Sequence, residues 1–190
     1  MEVHPGHYWT QETKQAWFGQ NPPSTDYENF QRLLVEQETQ TECSKPSPAV
    51  RLLTTPVCLY DERVELVRKR ELGNINHHTE NFDGQQFFGD GCVVYVNFKF
   101  IVGQGGNQTS RLKDVGAFIK TQMKWLDTVE NDGCTYFANI LDGERCTKEY
   151  ESFLNMLTLD GITECYAQRI YIGDLKNYSS WLATRSLLAM

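Results

Sequence analysis

Asp83, Asn97 and Lys99 set an acid, an amide and an amine close together in the chain. From Cys92 to Val102 the even positions (Cys92, Val94, Val96, Phe98, Phe100, Val102) are all apolar, whereas the odd ones are mixed. That period marks a strand with one dry face, so Asn97 and Lys99 leave it on the same, less apolar side. Gly89-Asp90-Gly91 is a turn signal, and Gln85 to Phe88 before it suits a shorter partner strand. A hairpin folded about Asp90 places Asp83 opposite Asn97, because both lie equally far from the turn. The three polar groups then meet on one patch of sheet. A carboxylate there offers hard oxygen to a divalent cation, and a lysine beside it can orient water or stabilise developing charge.

The elements around this hairpin have to hold it. Gly103-Gln-Gly-Gly106 permits a sharp turn, after which Thr109 or Ser110 can cap a helix running to about Val129. Leu112, Val115, Ile119, Met123 and Leu126 recur at helical spacing on the face expected to meet the sheet, and Gln122 is the polar residue among them. The turn lacks the lysine and spacing of a phosphate loop. Cys134 to Leu141 reads as a buried central strand closed by Asp142-Gly143, followed by a helix from about Thr147 to Leu157, a strand from Cys165 to Ile172 and a last helix from about Ser179.

Upstream, residues 1–25 read as an extended arm with one helical turn, and Asp26 can cap a helix to about Thr39. Residues 40–57, with Pro46, Pro48 and Pro56, read as an irregular connection, and residues 60–72 as a charged helix with Val64, Val67 and Leu72 on a thin apolar edge. His77 and His78 are adjacent, which suits a loop better than a paired metal site. The expectation is an α/β chain with a mixed central sheet flanked by helices: residues 1–57 an arm, helix and proline-rich connection, residues 58–190 the α/β domain.

Composition bounds the function. With 190 residues, of which 40% are hydrophobic, the chain can bury a sizeable core. A net charge of −7 argues against a surface that holds phosphate backbones indiscriminately, while leaving room for a local basic cleft. Six cysteines include no CxxC pair, and Cys92, Cys134 and Cys165 sit in apolar runs, as reduced core residues do. No apolar run is long enough to span a membrane, and no signal peptide is evident at the N-terminus, so an intracellular location in cytoplasm or nucleus is expected, with no membrane partner. Nothing in the sequence specifies an oligomeric state.

The order of Asp83, a hairpin, Asn97-Phe-Lys99, a glycine-rich turn, a helix bearing Gln122 and a further apolar strand resembles the PD-(D/E)XK nuclease superfamily, over about residues 60–142. The resemblance implies a restriction-endonuclease-like core and a Mg²⁺-dependent endonuclease, a hydrolase of DNA or RNA phosphodiesters. Its catalytic set would be Asp83, Asn97, Lys99 and Gln122, with Asp83 as first carboxylate, Lys99 as the motif lysine and Asn97 where the second carboxylate belongs. A neutral amide there removes a charge from the metal site and leaves three expectations. The chain is a degenerate nuclease that only binds, a working variant, or one whose acid has migrated to Asp114; the metal donors would be Asp83, Asn97 and Asp114. An acid restored at position 97 is expected to strengthen metal binding. The contrasting reading is a protein-interaction domain without chemistry. A third, a secreted disulfide protein, draws on the even cysteine count and the sequons at Asn107 and Asn177.

Overall fold

The computed structural model describes residues 10–19, 23–58, 61–68, 78–89, 91–102, 106–127, 133–159 and 168–188. Helices α1 (Gln11–Phe18) and α2 (Ser24–Thr39) lead into strands β1 (Val50–Cys58), β2 (Asp61–Arg68), β3 (His78–Asn81), β4 (Gly84–Phe88) and β5 (Cys92–Phe100). Then come α3 (Gly106–Leu126), β6 (Thr135–Asp142), α4 (Glu144–Thr147), α5 (Tyr150–Leu159), β7 (Ile170–Gly173) and α6 (Leu175–Leu188).

A four-stranded mixed sheet in the order β4-β5-β6-β7 organises the molecule. β4 runs antiparallel to β5, whereas β5, β6 and β7 are parallel. The alternation along β5 decides what covers each face. Val94, Val96 and Phe98 enter a core with Val35 of α2 and Tyr178 and Leu182 of α6. Val93 and Tyr95 point the other way, into a core with Val115 and Ile119 of α3 and Phe153 of α5. Helices therefore flank the sheet on both sides, and α3 uses the face that its spacing predicts.

A second sheet of three strands, in the order β2-β1-β3, corrects the reading of residues 50–58 and 61–68, while residues 60 and 69–72 of the expected helix lie outside the described residues. The proline-rich connection gives way to β1 at Val50, and the expected charged helix is β2, antiparallel to β1 through pairs such as Leu52 with Leu66 and Thr54 with Val64. Val64 and Leu66 alternate on this strand; Val64 is buried, and Leu66 packs on the core that contains Val50, Leu52 and Val115. Pairing with β1 and burial against α3 outweigh a local composition that suits a solvated helix. The division at 57/58 falls inside β1, whose Val50 and Leu52 share that core with α3.

Smaller differences follow from local chemistry. The N-terminal arm contains α1, capped by the Thr10 hydroxyl on the Thr13 amide. α2 begins at Ser24, with Asp26 in its first turn rather than at its cap. His78 opens β3, and α6 starts at Leu175, four residues earlier than Ser179, because Asp174 accepts from the Asn177 amide. Cys43, Cys92, Cys134 and Cys146 are free thiols; Cys92 is buried, Cys134 is half-buried and Cys165 lies outside the described residues. Among the described residues no helix is long and apolar enough to cross a membrane.

Candidate functional site

The hairpin has the expected register. Phe88 faces Cys92 and Gly84 faces Val96, the last pair of the ladder; Asp83, just before β4, lies beside the stretch around Asn97. Asp83 straddles that position: its amide donates to Val96 O at 2.8 Å, and its Oδ2 accepts from the Phe98 amide at 2.9 Å. The carboxylate thus takes the place of a backbone acceptor just ahead of β4, and Arg32 of α2 donates to the Asp83 carbonyl. Burial pushes the Asp83 carboxyl up to about 7, against the pull of the Phe98 amide and Lys99; Glu28 and Glu80 push it further up. Its Oδ1 takes no hydrogen bond from a described residue. Lys99 is ion-paired with Glu80 of β3 and is 20% exposed. Asp90, at the turn, lies outside the described residues.

Asn97 belongs to a different environment. Its side chain is fully buried on the α3 side of the sheet, and its Nδ2 donates to Asn139 Oδ1 at 3.1 Å. Asn139 lies directly beside it on β6 and exchanges hydrogen bonds with Gln122, Nδ2 to Oε1 at 2.8 Å and Nε2 to Oδ1 at 3.1 Å. Three amides with no exposed surface thus form a chain across β5, β6 and α3, and Asn97 Oδ1 is buried with no hydrogen-bond partner among the described residues. Gln122 therefore reaches Asn97 through Asn139, a residue that sequence reasoning missed. Its signal was an asparagine inside the run Cys134–Leu141, where every other buried position is apolar or small.

A second polar cluster was also missed, because Asp142-Gly143 reads as an ordinary turn. Asp142, at the carboxyl end of β6, is fully buried; its Oδ2 accepts from Gln31 of α2 at 3.0 Å and its Oδ1 from the Leu175 amide at 3.3 Å. Burial pushes its carboxyl up to about 7, and neighbouring Asp174 adds to that while the two hydrogen bonds oppose it. Gly143 makes the corner possible: its φ is +99°, and a Cβ there would stand 2.3 Å from Ile101 O. Asp142 ties α2, β6 and α6 together, and both its oxygens are used in doing so.

The proposed Mg²⁺ donors do not fit that ion. Mg²⁺ takes carboxylate oxygen and retains several waters, whereas Asn97 lies in a dry chain of amides. Asp114 is exposed on α3, and eight residues before Gln122 it stands about 12 Å back along the helix. Among the described residues no group of three or more His, Cys, Asp or Glu side chains could hold a metal ion. The corner at Asp83 and Lys99 can accept a proton near neutrality and present an ammonium group. Comparison with family models, with curated proteins and with solved structures finds no match for this chain.

Proposed function

We propose that this chain is a degenerate nuclease-like domain, built on a restriction-endonuclease-like core, that binds nucleic acid without cleaving it through Mg²⁺. The observation that carries the reading is the split between Asp83 and Asn97. The two lie close together where the hairpin ladder stops, yet the carboxylate caps a backbone amide while the amide bonds to Asn139 in the core. A cleavage centre of the resembled kind needs both oxygens on one ion, with Lys99 beside them. The hairpin register, Lys99 close enough to act on Asp83 and Gln122 joined to Asn97 through Asn139 support descent from such a centre.

The test uses the full chain with labelled single- and double-stranded DNA and RNA. Binding should be retained in EDTA, and Mg²⁺ should add no cleavage above that control. Mg²⁺-dependent cutting that Lys99→Ala abolishes would overturn the degenerate reading. Absence of binding to every nucleic acid would instead favour a protein-interaction domain, for which the exposed Leu33, Phe87 and Leu154 provide apolar contact points.

A further inference from the structure

Cys92 opens β5 and Cys134 stands just ahead of β6, on strands that run parallel side by side. The ladder between them begins with Val93 opposite Thr135, and the Val93 amide donates to the Cys134 carbonyl at 2.9 Å. Each cysteine therefore leads its strand into the pairing. Their side chains leave on the same side: Cys92 belongs to the core of Val94, Val96 and Tyr136 on the α6 face, and Cys134 packs against that core. Both are thiols. The same tripeptide, Asp-Gly-Cys, stands at 90–92 and at 132–134. The other two described cysteines lie elsewhere, Cys146 in α4 within the core on the α3 face and Cys43 beside Gly84.

Neighbouring strands stand about 4.8 Å apart, within the roughly 4.4–6.8 Å that separates the Cα atoms of a disulfide. The Cβ atoms must then close to about 3.8 Å. The backbone before each thiol can supply that movement, because Gly91 and Gly133 hold φ of +90° and +77° with open space where a Cβ would stand. The two thiols differ in reach. Cys92 is 4% exposed, whereas Cys134 is half-buried, so a small oxidant meets Cys134 first.

We propose that Cys92 and Cys134 are a redox-active dithiol that hydrogen peroxide converts into a disulfide across β5 and β6. The Cys134 thiolate attacks one peroxide oxygen, the O–O bond breaks, and the departing hydroxide takes up the thiol proton as water; Cys134 is then a sulfenic acid. The Cys92 thiolate attacks Cys134 Sγ, the S–S bond forms as the S–O bond breaks, and a second water leaves with the Cys92 proton. Two thiols give up two electrons and two protons, and one peroxide becomes two waters. This chemistry is independent of any binding to nucleic acid.

Peptide mapping of the full chain tests the pair. Cleavage after lysine and arginine leaves Cys92 in the peptide 71–99 and Cys134 in the peptide 125–145, each with no other cysteine. The folded chain is treated with peroxide, its remaining thiols are blocked with N-ethylmaleimide, and the monomer band of a non-reducing gel is digested. The two peptides should be linked in most chains, and dithiothreitol should release them. Peptides that stay unlinked, either one joined to another cysteine, or a link that forms only when urea accompanies the peroxide would overturn the proposal. In Cys92→Ser, dimedone should trap the Cys134 sulfenic acid, whereas in Cys134→Ser the label on Cys92 should be about tenfold weaker. Equal labelling would overturn the order of attack. The mapping uses the unmodified chain, so it stays decisive if either variant folds poorly.

Discussion

Asp83 and Asp142 both have carboxyl groups pushed up to about 7, and burial is the first cause in each. Their surroundings differ. Asp142 is fully buried and has a donor on each oxygen, from Gln31 and from the Leu175 amide, so its bonding capacity is spent on joining α2 and α6 to the end of β6. Asp83 has one donor, the Phe98 amide, and its second oxygen has no described partner, beside Lys99 at a half-buried corner. A raised proton affinity therefore does not by itself mark a functional acid. What distinguishes the two is unspent bonding capacity, which Asp83 retains and Asp142 lacks.

The largest effect should come from Asp142→Ala, which strands the Gln31 amide and the Leu175 N–H in the core. A loss of about 3 kcal/mol is expected in urea unfolding, whereas a loss below about 1 kcal/mol would place Asp142 with Asp83 rather than against it. Asn97→Asp should come next. It sets a carboxylate against Asn139 Oδ1 in the amide chain, with no cation to compensate, at a cost of about 2 kcal/mol or more. Stability unchanged, together with new Mg²⁺ binding in a thermal shift, would show that position 97 still belongs to a metal site.

The pH profile separates the acids more finely. An acid with a folded pKa of about 7 and an ordinary value of 3.8 holds more protons folded than unfolded between those values. The free energy of unfolding therefore falls as pH rises from about 4 to about 7 and levels off above. Asp142→Asn should reduce the drop in Tm between about pH 5 and about pH 8; a drop of unchanged size would mean that Asp142 titrates normally. Asp83→Ala should cost about 1 kcal/mol, the bond to the Phe98 amide. Smallest of all, Asp83→Asn keeps an acceptor for that amide and should move stability by less than about 0.5 kcal/mol. A larger loss would mean that the charge of Asp83, rather than its acceptor, holds the end of β4.

Much of this fold could be read in the chain's periodicities. The alternation along Cys92–Phe100, the glycines around Asp90 and the spacing of Leu112, Val115, Ile119 and Leu126 are local properties, and the strand, the hairpin register and the buried face of α3 follow from them. Residues 61–68, expected to be helical, differ for the converse reason. Charged positions there suit a solvated helix, and only pairing with β1 and burial of Val64 against α3 made a strand.

The site divides in the same way. Symmetry about the turn was enough to bring Asp83 and Asn97 together, and the two-residue spacing put Lys99 on the side of Asn97. Which way each polar group is satisfied depends on partners distant in sequence: Asn139 for Asn97, Gln31 and Leu175 for Asp142. Hydrogen bonding and burial are settled by atoms that meet only when the sheet and helices have assembled. The sequence determined the hairpin and its neighbours on the ladder, and the tertiary structure decided that Asn97 is held in the core while Asp83 keeps an oxygen to spare.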